Sequence, residues 1–291
     1  MKILRNPNAI KSILIFLSIL TVKANSEPVH VDVAEITDTR STGQFYGGCE
    51  IELNVTGDEV ATSFGIKDVK ISIASDNLGR DLIREDESND LFFSPNKEGS
   101  NTLSKKIKLK NPSRSATLIS TLEGTVELFQ PTVDNGGEVI VEDYMNKPGI
   151  LIRENLLSKY DIELMYLTKD IYEQKKAIYQ NARKNEIDKI GEMVGDPFVE
   201  LFKGYFGSSL MDEQNSLKFY VTDNQNHLVD LQFLDKNDKL IETWGRSSMG
   251  KLRTYSFKES LPTEDSKLVI YIATDSSVKN VNFKIDDIAL P

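Results

Sequence analysis

DIYEQKKAIYQNARKNEIDKIGEMVGDPFVELFKGYFG, residues 170–207, is the one long segment of this sequence with helical periodicity. Ile187, Ile190, Val194, Phe198, Leu201 and Tyr205 follow one another at three- and four-residue steps, which stacks them on one face of a helix. The opposite face carries Lys184, Glu186, Asp188, Lys189, Glu192 and Lys203, as a solvated surface would. Gly195-Asp196-Pro197 interrupts the pattern: Gly ends one helix, Asp caps the next, and Pro stands where its missing N–H costs nothing. The spacing predicts two helical pieces joined at a bend, lying between two halves that both read as β. The expected fold class is therefore mainly β, with two immunoglobulin-like β-sandwich domains joined by a bent helical connector. The expected boundaries are a signal peptide at 1–24, an N-terminal β-sandwich at 25–168, the connector at 169–207 and a small C-terminal β-sandwich at 208–291.

On the N-terminal side, apolar residues alternate with polar ones in short runs: Val29 to Ile36, then Ile51, Leu53 and Val55, then Val69, Ile71 and Ile73. Ile107 with Leu109, Val126 with Leu128, Val139 to Val141, Ile150 to Ile152 and Ile162 to Tyr166 continue the series, with Gly, Pro, Asn and Asp between them. A closed barrel fits the same alternation. On the C-terminal side, Leu217 to Val221 and Leu228 to Leu234 lead to a hairpin turn at Asp235–Lys239 and a short return strand at Leu240-Ile241. Trp244 to Gly250, with two glycines and the only tryptophan, reads as a loop. Strands follow at Leu252–Phe257, Leu268–Ile272 and Val281–Ile285. Residues 71–83 can be laid over 229–241, and 115–121 over 266–272, each pair sharing a strand, a turn and an apolar run. Duplication and the common grammar of β-sandwiches both account for that match.

Lys2, Arg5 and Lys11 precede the apolar run Ile13–Val22, and Val22-Lys23-Ala24 supplies a cleavage site, the pattern of a secretory signal peptide. The run is too short to span about 30 Å of hydrocarbon comfortably, so no integral membrane segment is expected after cleavage. Removal of residues 1–24 takes away four basic residues and no acidic ones, turning 35 against 45 into 31 against 45, a formal charge of −14. Such a charge excludes nucleic acid as an expected partner, because phosphates need clustered Lys and Arg. It favours solubility in the periplasm or outside the cell. Cys49 is the only cysteine, so no intramolecular disulfide forms, and its expected place is a buried strand position.

His30 and His227 are the only histidines and do not supply a multi-histidine zinc set. The phosphate loops G-x-x-x-x-G-K-[ST] and G-x-G-x-x-G and the nucleophile elbow G-x-S-x-G are missing from the sequence. No catalytic residue is assigned. The calcium candidates are the turns Asp235, Asn237, Asp238 and Asp76, Asn77, Asp81, whose oxygens are close enough in sequence to share an ion. Ordinary turn chemistry, with Asp and Asn bonded to their own backbone, is the competing account. Trp244 and Arg246 are the candidate ligand-binding pair, since Trp and Arg carry much of the energy of binding surfaces. Burial of the lone Trp in the core is the alternative.

Gly245-Arg-Ser-Ser-Met-Gly250, Arg253-Thr-Tyr-Ser-Phe257 and the closing Phe283-Lys-Ile-Asp-Asp-Ile-Ala-Leu-Pro291 resemble the C-terminal part of uncharacterised exported β-sandwich proteins of environmental bacteria. The similarity covers the last sixth of the chain and rests on strand and turn residues, so it implies export and a β fold and transfers no activity. The expected function is a non-enzymatic exported protein acting through an exported or envelope protein partner. A carbohydrate-binding module, with Trp244 as its platform, is the alternative. A carboxylate-dependent glycoside hydrolase is the second, because the 45 carboxylates neither single out nor exclude a catalytic pair.

Overall fold

The computed structural model describes residues 27–40, 47–84, 93, 95–96, 99–194 and 215–291, with no side-chain description for 182–194. The signal segment 1–24, the apolar side chains from Ile187 to Tyr205 and the Gly195–Pro197 bend therefore lie outside the described residues. A single helix backbone, Lys169–Val194, represents the helical segment. The described chain is mainly β, and its fourteen strands form four antiparallel sheets.

β1 (His30–Thr39), β2 (Gly48–Thr56) and β4 (Thr102–Leu109) form the first sheet. β3 (Gly65–Asp76), β5 (Leu118–Phe129) and β14 (Val278–Ala289) form the second. β2 shows why these residues form strands: Cys49, Ile51, Leu53 and Val55 are buried on one face while Glu50, Glu52 and Asn54 face outward. The two sheets share one core, with Cys49, Ile51, Leu53 and Ile107 from the first meeting Ala74, Ile119, Leu122 and Ile288 from the second. Each fully buried Ile or Leu there contributes about 1.5–3 kcal/mol. The sheet edges approach each other, β1 beside β14 and β3 beside β4.

β6 (Glu138–Val141), β13 (Lys267–Ile272), β9 (Leu228–Leu234) and β10 (Leu240–Ile241) form the third sheet, in that order. β7 (Ile162–Leu167), β8 (Ser216–Asp223), β12 (Leu252–Phe257) and β11 (Thr243–Met249) form the fourth. They enclose a second core in which Phe219 packs 5.9 Å from Phe233 and 5.8 Å from Tyr255, with Phe257 5.2 Å from Phe233. The edge-on pairs Phe219–Tyr255 and Phe233–Phe257 add about 0.5–1.5 kcal/mol each beyond their buried area.

Strands from both sides of the boundaries expected at 168 and 208 share sheets. β6 follows β5 in the chain yet leaves the second sheet to pair with β13, Leu268 opposite Val141. β14 follows β13 yet leaves the third sheet to run beside β5, from Val278 opposite Phe129 to Ala289 opposite Leu118. Each core thus receives its last edge strand from the chain that has just left the other. The two crossing segments, 130–137 and 273–277, are bound to one another. Gln130 N–H donates to Ser277 O (2.7 Å), Ile272 N–H to Gly137 O (2.8 Å) and Thr274 Oγ1 to Asn135 O (3.0 Å). Gly137 is required by this contact, because a Cβ there would lie 2.7 Å from Ser277 Cβ and 2.9 Å from Pro131 Cα. An aromatic cluster seals the junction: Phe64 stacks on Phe93 at 5.5 Å and meets Tyr271 at 4.4 Å, while Phe129 sits edge-on to all three.

The helix Lys169–Val194 begins after β7, and the chain re-enters the sheets as β8, which pairs directly with β7 from Ile162–Asp223 to Leu167–Lys218. It therefore spans two neighbours of one sheet. Its first turns dock on that sheet through Ile171, Tyr172 and Tyr179, against Leu167, Tyr220, Met249 and Leu252. Tyr179 lies over Gly250, whose φ of +59° closes the β11–β12 hairpin without a side chain in the way. No described helix is long and apolar enough to cross a membrane.

Two local expectations are corrected. Trp244–Met249 is part of strand β11 and not a loop, because pairing with β12 absorbs Gly245 at a bulge. Ile150–Ile152 is a turn with a single bridge from Leu151 to Met165, because Gly149 at φ +75° turns the chain along the edge of β7.

Candidate functional site

Among the described residues, β11 is the outermost strand of its sheet and pairs only with β12. The register shifts between Thr243 and Gly245, leaving Trp244 as the extra residue of a β-bulge. A bulge re-aims the residue it displaces. Here the indole is 54% exposed, the most outward aromatic side chain among the large apolar residues described. Leu240, on the two-residue edge strand just before it, is also exposed.

Arg246, two residues further on, turns inward. Its guanidinium donates to Asp230 Oδ1 at 2.6 Å and lies 5.7 Å from the centre of the Tyr255 ring. Asp230 stands on β9 of the facing sheet with its carboxylate almost entirely buried, so the pair ties one sheet to the other. Burial pushes the Asp230 carboxyl above its ordinary range, and the Arg246 charge pulls back against it. Trp244 and Arg246 are thus near neighbours in sequence that face opposite ways. One is presented to solvent; the other completes a buried ion pair.

The two acidic turns prove to be the same structure twice. Asp235 Oδ1 accepts the N–H groups of Asn237 (2.8 Å) and Lys239 (2.9 Å). Asp76 Oδ1 accepts those of Leu78 and Arg80, both at 2.9 Å. The main-chain closures also match, Asp238 N–H to Asp235 O and Gly79 N–H to Asp76 O, each 3.0 Å. Asp238 and Gly79 take left-handed φ values of +62° and +81°. Asp238 spends its own carboxylate on Lys267 at 2.7 Å. Asp76 accepts a further N–H from Ser113 through Oδ2 (2.8 Å). Burial pushes the Asp76 carboxyl upward, but these backbone donors outweigh it and hold the group at about 2. Among the described residues, no three His, Cys, Asp or Glu side chains converge as a metal set would.

Elsewhere, Cys49 is buried in β2, which together with the nearby Asp38 charge pushes its thiol up to about 11. His227 sits at a turn with Nδ1 3.1 Å from Tyr160 O. A cleft of about 180 Å³ opens beside β7, lined by Ile152, Leu164 and Thr222 with Glu154, Asp161 and Glu163 around it. The sequence reading did not single out the cleft or Asp230. Asp230 was hidden by the alternation of Val229–Leu234, in which Asp230 and Gln232 take the positions of a solvent-facing side. The cleft carried no signal, because it forms only where the stretch from Leu151 to Leu164 folds beside Thr222 and Asn224, which are distant in the chain.

Comparison of the chain with protein-family models, curated proteins and solved structures finds no match.

Proposed function

We propose that this chain is an exported, non-enzymatic protein that works by binding another exported or envelope protein, with Trp244 as an anchor of the contact surface. The observation that carries the reading is the half-exposed indole at the bulge of an edge strand. Exposing a large apolar ring costs solubility, and Trp is the residue in which interface energy most often concentrates. Export rests on the basic and apolar N-terminal segment, and the acidic balance of the chain suits a soluble protein of the periplasm or exterior.

The scaffold is read as two immunoglobulin-like units, and strand order supports this. The sheets β1-β2-β4 and β3-β5-β14 follow the A-B-E and C-F-G order of that fold. The sheets β7-β8-β12-β11 and β10-β9-β13-β6 follow A-B-E-D and C′-C-F-G. On this reading β6 and β14 are G strands that have exchanged places, and the twin turns after β3 and β9 are equivalent features of the two units.

The test is chemical cross-linking of the mature protein in its native envelope or culture fluid, run beside the Trp244→Ala protein. One dominant partner, lost on substitution, is the expected result; equal recovery by both proteins would remove Trp244 from the contact. The flat indole face also favours a glycan reading, whose signature is polysaccharide recovered by the unaltered protein alone.

A further inference from the structure

The edges of the four sheets differ in how they are protected against strand addition. Native proteins blunt exposed edges with charge, proline, brevity or a covering segment. β1 carries Asp32, Glu35 and Asp38; β4 carries Lys105, Lys106 and Lys108; β3 carries Lys67, Asp68 and Lys70; β14 carries Lys279, Lys284, Asp286 and Asp287. β10 has two residues and β6 has four. β7 is covered by the segment before it, with Gly149 N–H bonded to Tyr166 O and Ile152 N–H to Leu164 O, both at 2.8 Å.

Among the described residues, β11 has none of these protections along Arg246–Met249. It is seven residues long, contains no proline, and its single charged side chain is turned away to Asp230. Ser247 and Ser248 add neither bulk nor charge. The bulge distorts only the Thr243–Gly245 end, and there it presents Trp244.

We infer that the outer edge of β11 receives an extended segment of a partner protein as an added strand, running along Arg246–Met249 with an apolar residue against Trp244. Main-chain hydrogen bonds then supply affinity, and the indole supplies register. The occupant is an uncharged or basic segment of a different protein, because a formal charge of −10 on this chain opposes both an acidic segment and a second copy. The inference rests on the protein-binding reading above and specifies its geometry.

The experiment uses the full mature chain and a phage-displayed library of random peptides of about twelve residues as the probe. Selected peptides are titrated against the unaltered protein, Trp244→Ala and Ser248→Lys, and bound complexes are read by hydrogen–deuterium exchange. Ser248 is exposed, so its substitution leaves the fold intact while placing on the edge the charge that other edges carry. The expected result is protection confined to the Arg246–Met249 amides, with binding weakened about tenfold or more by Ser248→Lys as well as by Trp244→Ala. Loss with Trp244→Ala but not Ser248→Lys, without amide protection, would overturn strand addition and leave the contact reading standing. Binders unaffected by either substitution, or no binders, would overturn both. Concentration-dependent doubling of mass, abolished by Ser248→Lys, would overturn the choice of a different protein as occupant.

Discussion

Replacing Arg246 with Met separates the two candidate roles of this residue. In the structure its guanidinium is the charged partner of Asp230, whose carboxylate is almost entirely buried, with Gln232 Nε2 at 3.3 Å and the Leu231 N–H as its neutral donors. Met keeps an unbranched apolar side chain but removes the guanidinium, and with it the charge, from beside Tyr255 and Asp230. The carboxylate is then left buried without a counter-ion, and breaking such a pair costs about 3–5 kcal/mol. That is a large fraction of the total of about 5–15 kcal/mol for a folded domain. With a urea slope of about 2–3 kcal/mol/M, the unfolding midpoint should fall by about 1–2 M.

The pH dependence has a definite sign. Burial already raises the folded-state pKa of Asp230, so its stabilising contribution is greatest below the unfolded value and is lost as pH rises through the folded one. Without Arg246 the folded value rises further, and the variant should recover stability on acidification over a wider window than the parent. A double replacement, Arg246→Met with Asp230→Leu, should regain most of the loss, since no charge remains buried. Urea titration followed by far-ultraviolet circular dichroism at several pH values measures all of this. A midpoint unchanged within about 0.2 M, with no recovery in acid, would refute the structural role and return Arg246 to the ligand-binding candidates.

Trp244→Ala should shift stability by less than about 0.5 kcal/mol, because the ring is half exposed, while abolishing partner capture; urea melts beside the cross-linking assay check both. Asp76→Ala strands the N–H groups of Leu78, Arg80 and Ser113 and should cost about 2 kcal/mol, read by thermal melting. Because the Asp76 carboxyl is held at about 2, its contribution is complete above its ordinary value and fades as pH falls towards 2, so the penalty of the substitution should shrink in acid. Gly137→Ala forces the crossing segments apart and should cost about 1–3 kcal/mol in a denaturant melt, whereas Gly79→Asn, with open space and a left-handed φ that Asn tolerates, should cost much less.

What the sequence revealed and what it hid divide along a physical line. Alternation in Ile51-Glu-Leu-Asn-Val55 and Leu217-Lys-Phe-Tyr-Val221 marks strands, because a half-buried strand must alternate and nothing else of that length does so as regularly. Sheet membership is a property of non-local pairing. Val139–Val141 reads as one more strand of the first half, yet its partner is Leu268–Tyr271, more than a hundred residues away. The β11 strand was hidden for a related reason: two glycines in Trp244–Gly250 suggest a loop when read locally, while one of them serves a bulge and the other a hairpin end. At the candidate site, Trp244 was legible as a residue type, but its exposure depends on one extra residue in a register. Arg246 was legible only as a neighbour of Trp244, and its buried partner lies on another sheet. At the acidic turns, backbone N–H groups engage Asp76 and Asp235, which gives a local reason for carboxylates at those positions.

The exchange of β6 and β14 between the two cores ties the two halves of the fold together, and fragment complementation tests it most directly. Residues 138–272 contain every strand of the second core and should fold alone, with a cooperative urea transition. Residues 27–129 lack β14, whose Val281, Phe283, Ile285 and Ile288 pack against the first core, and should remain unfolded until a peptide of residues 278–291 is added. Cooperative folding of 27–129 without the peptide, or failure of 138–272 to fold without β14, would contradict the exchange.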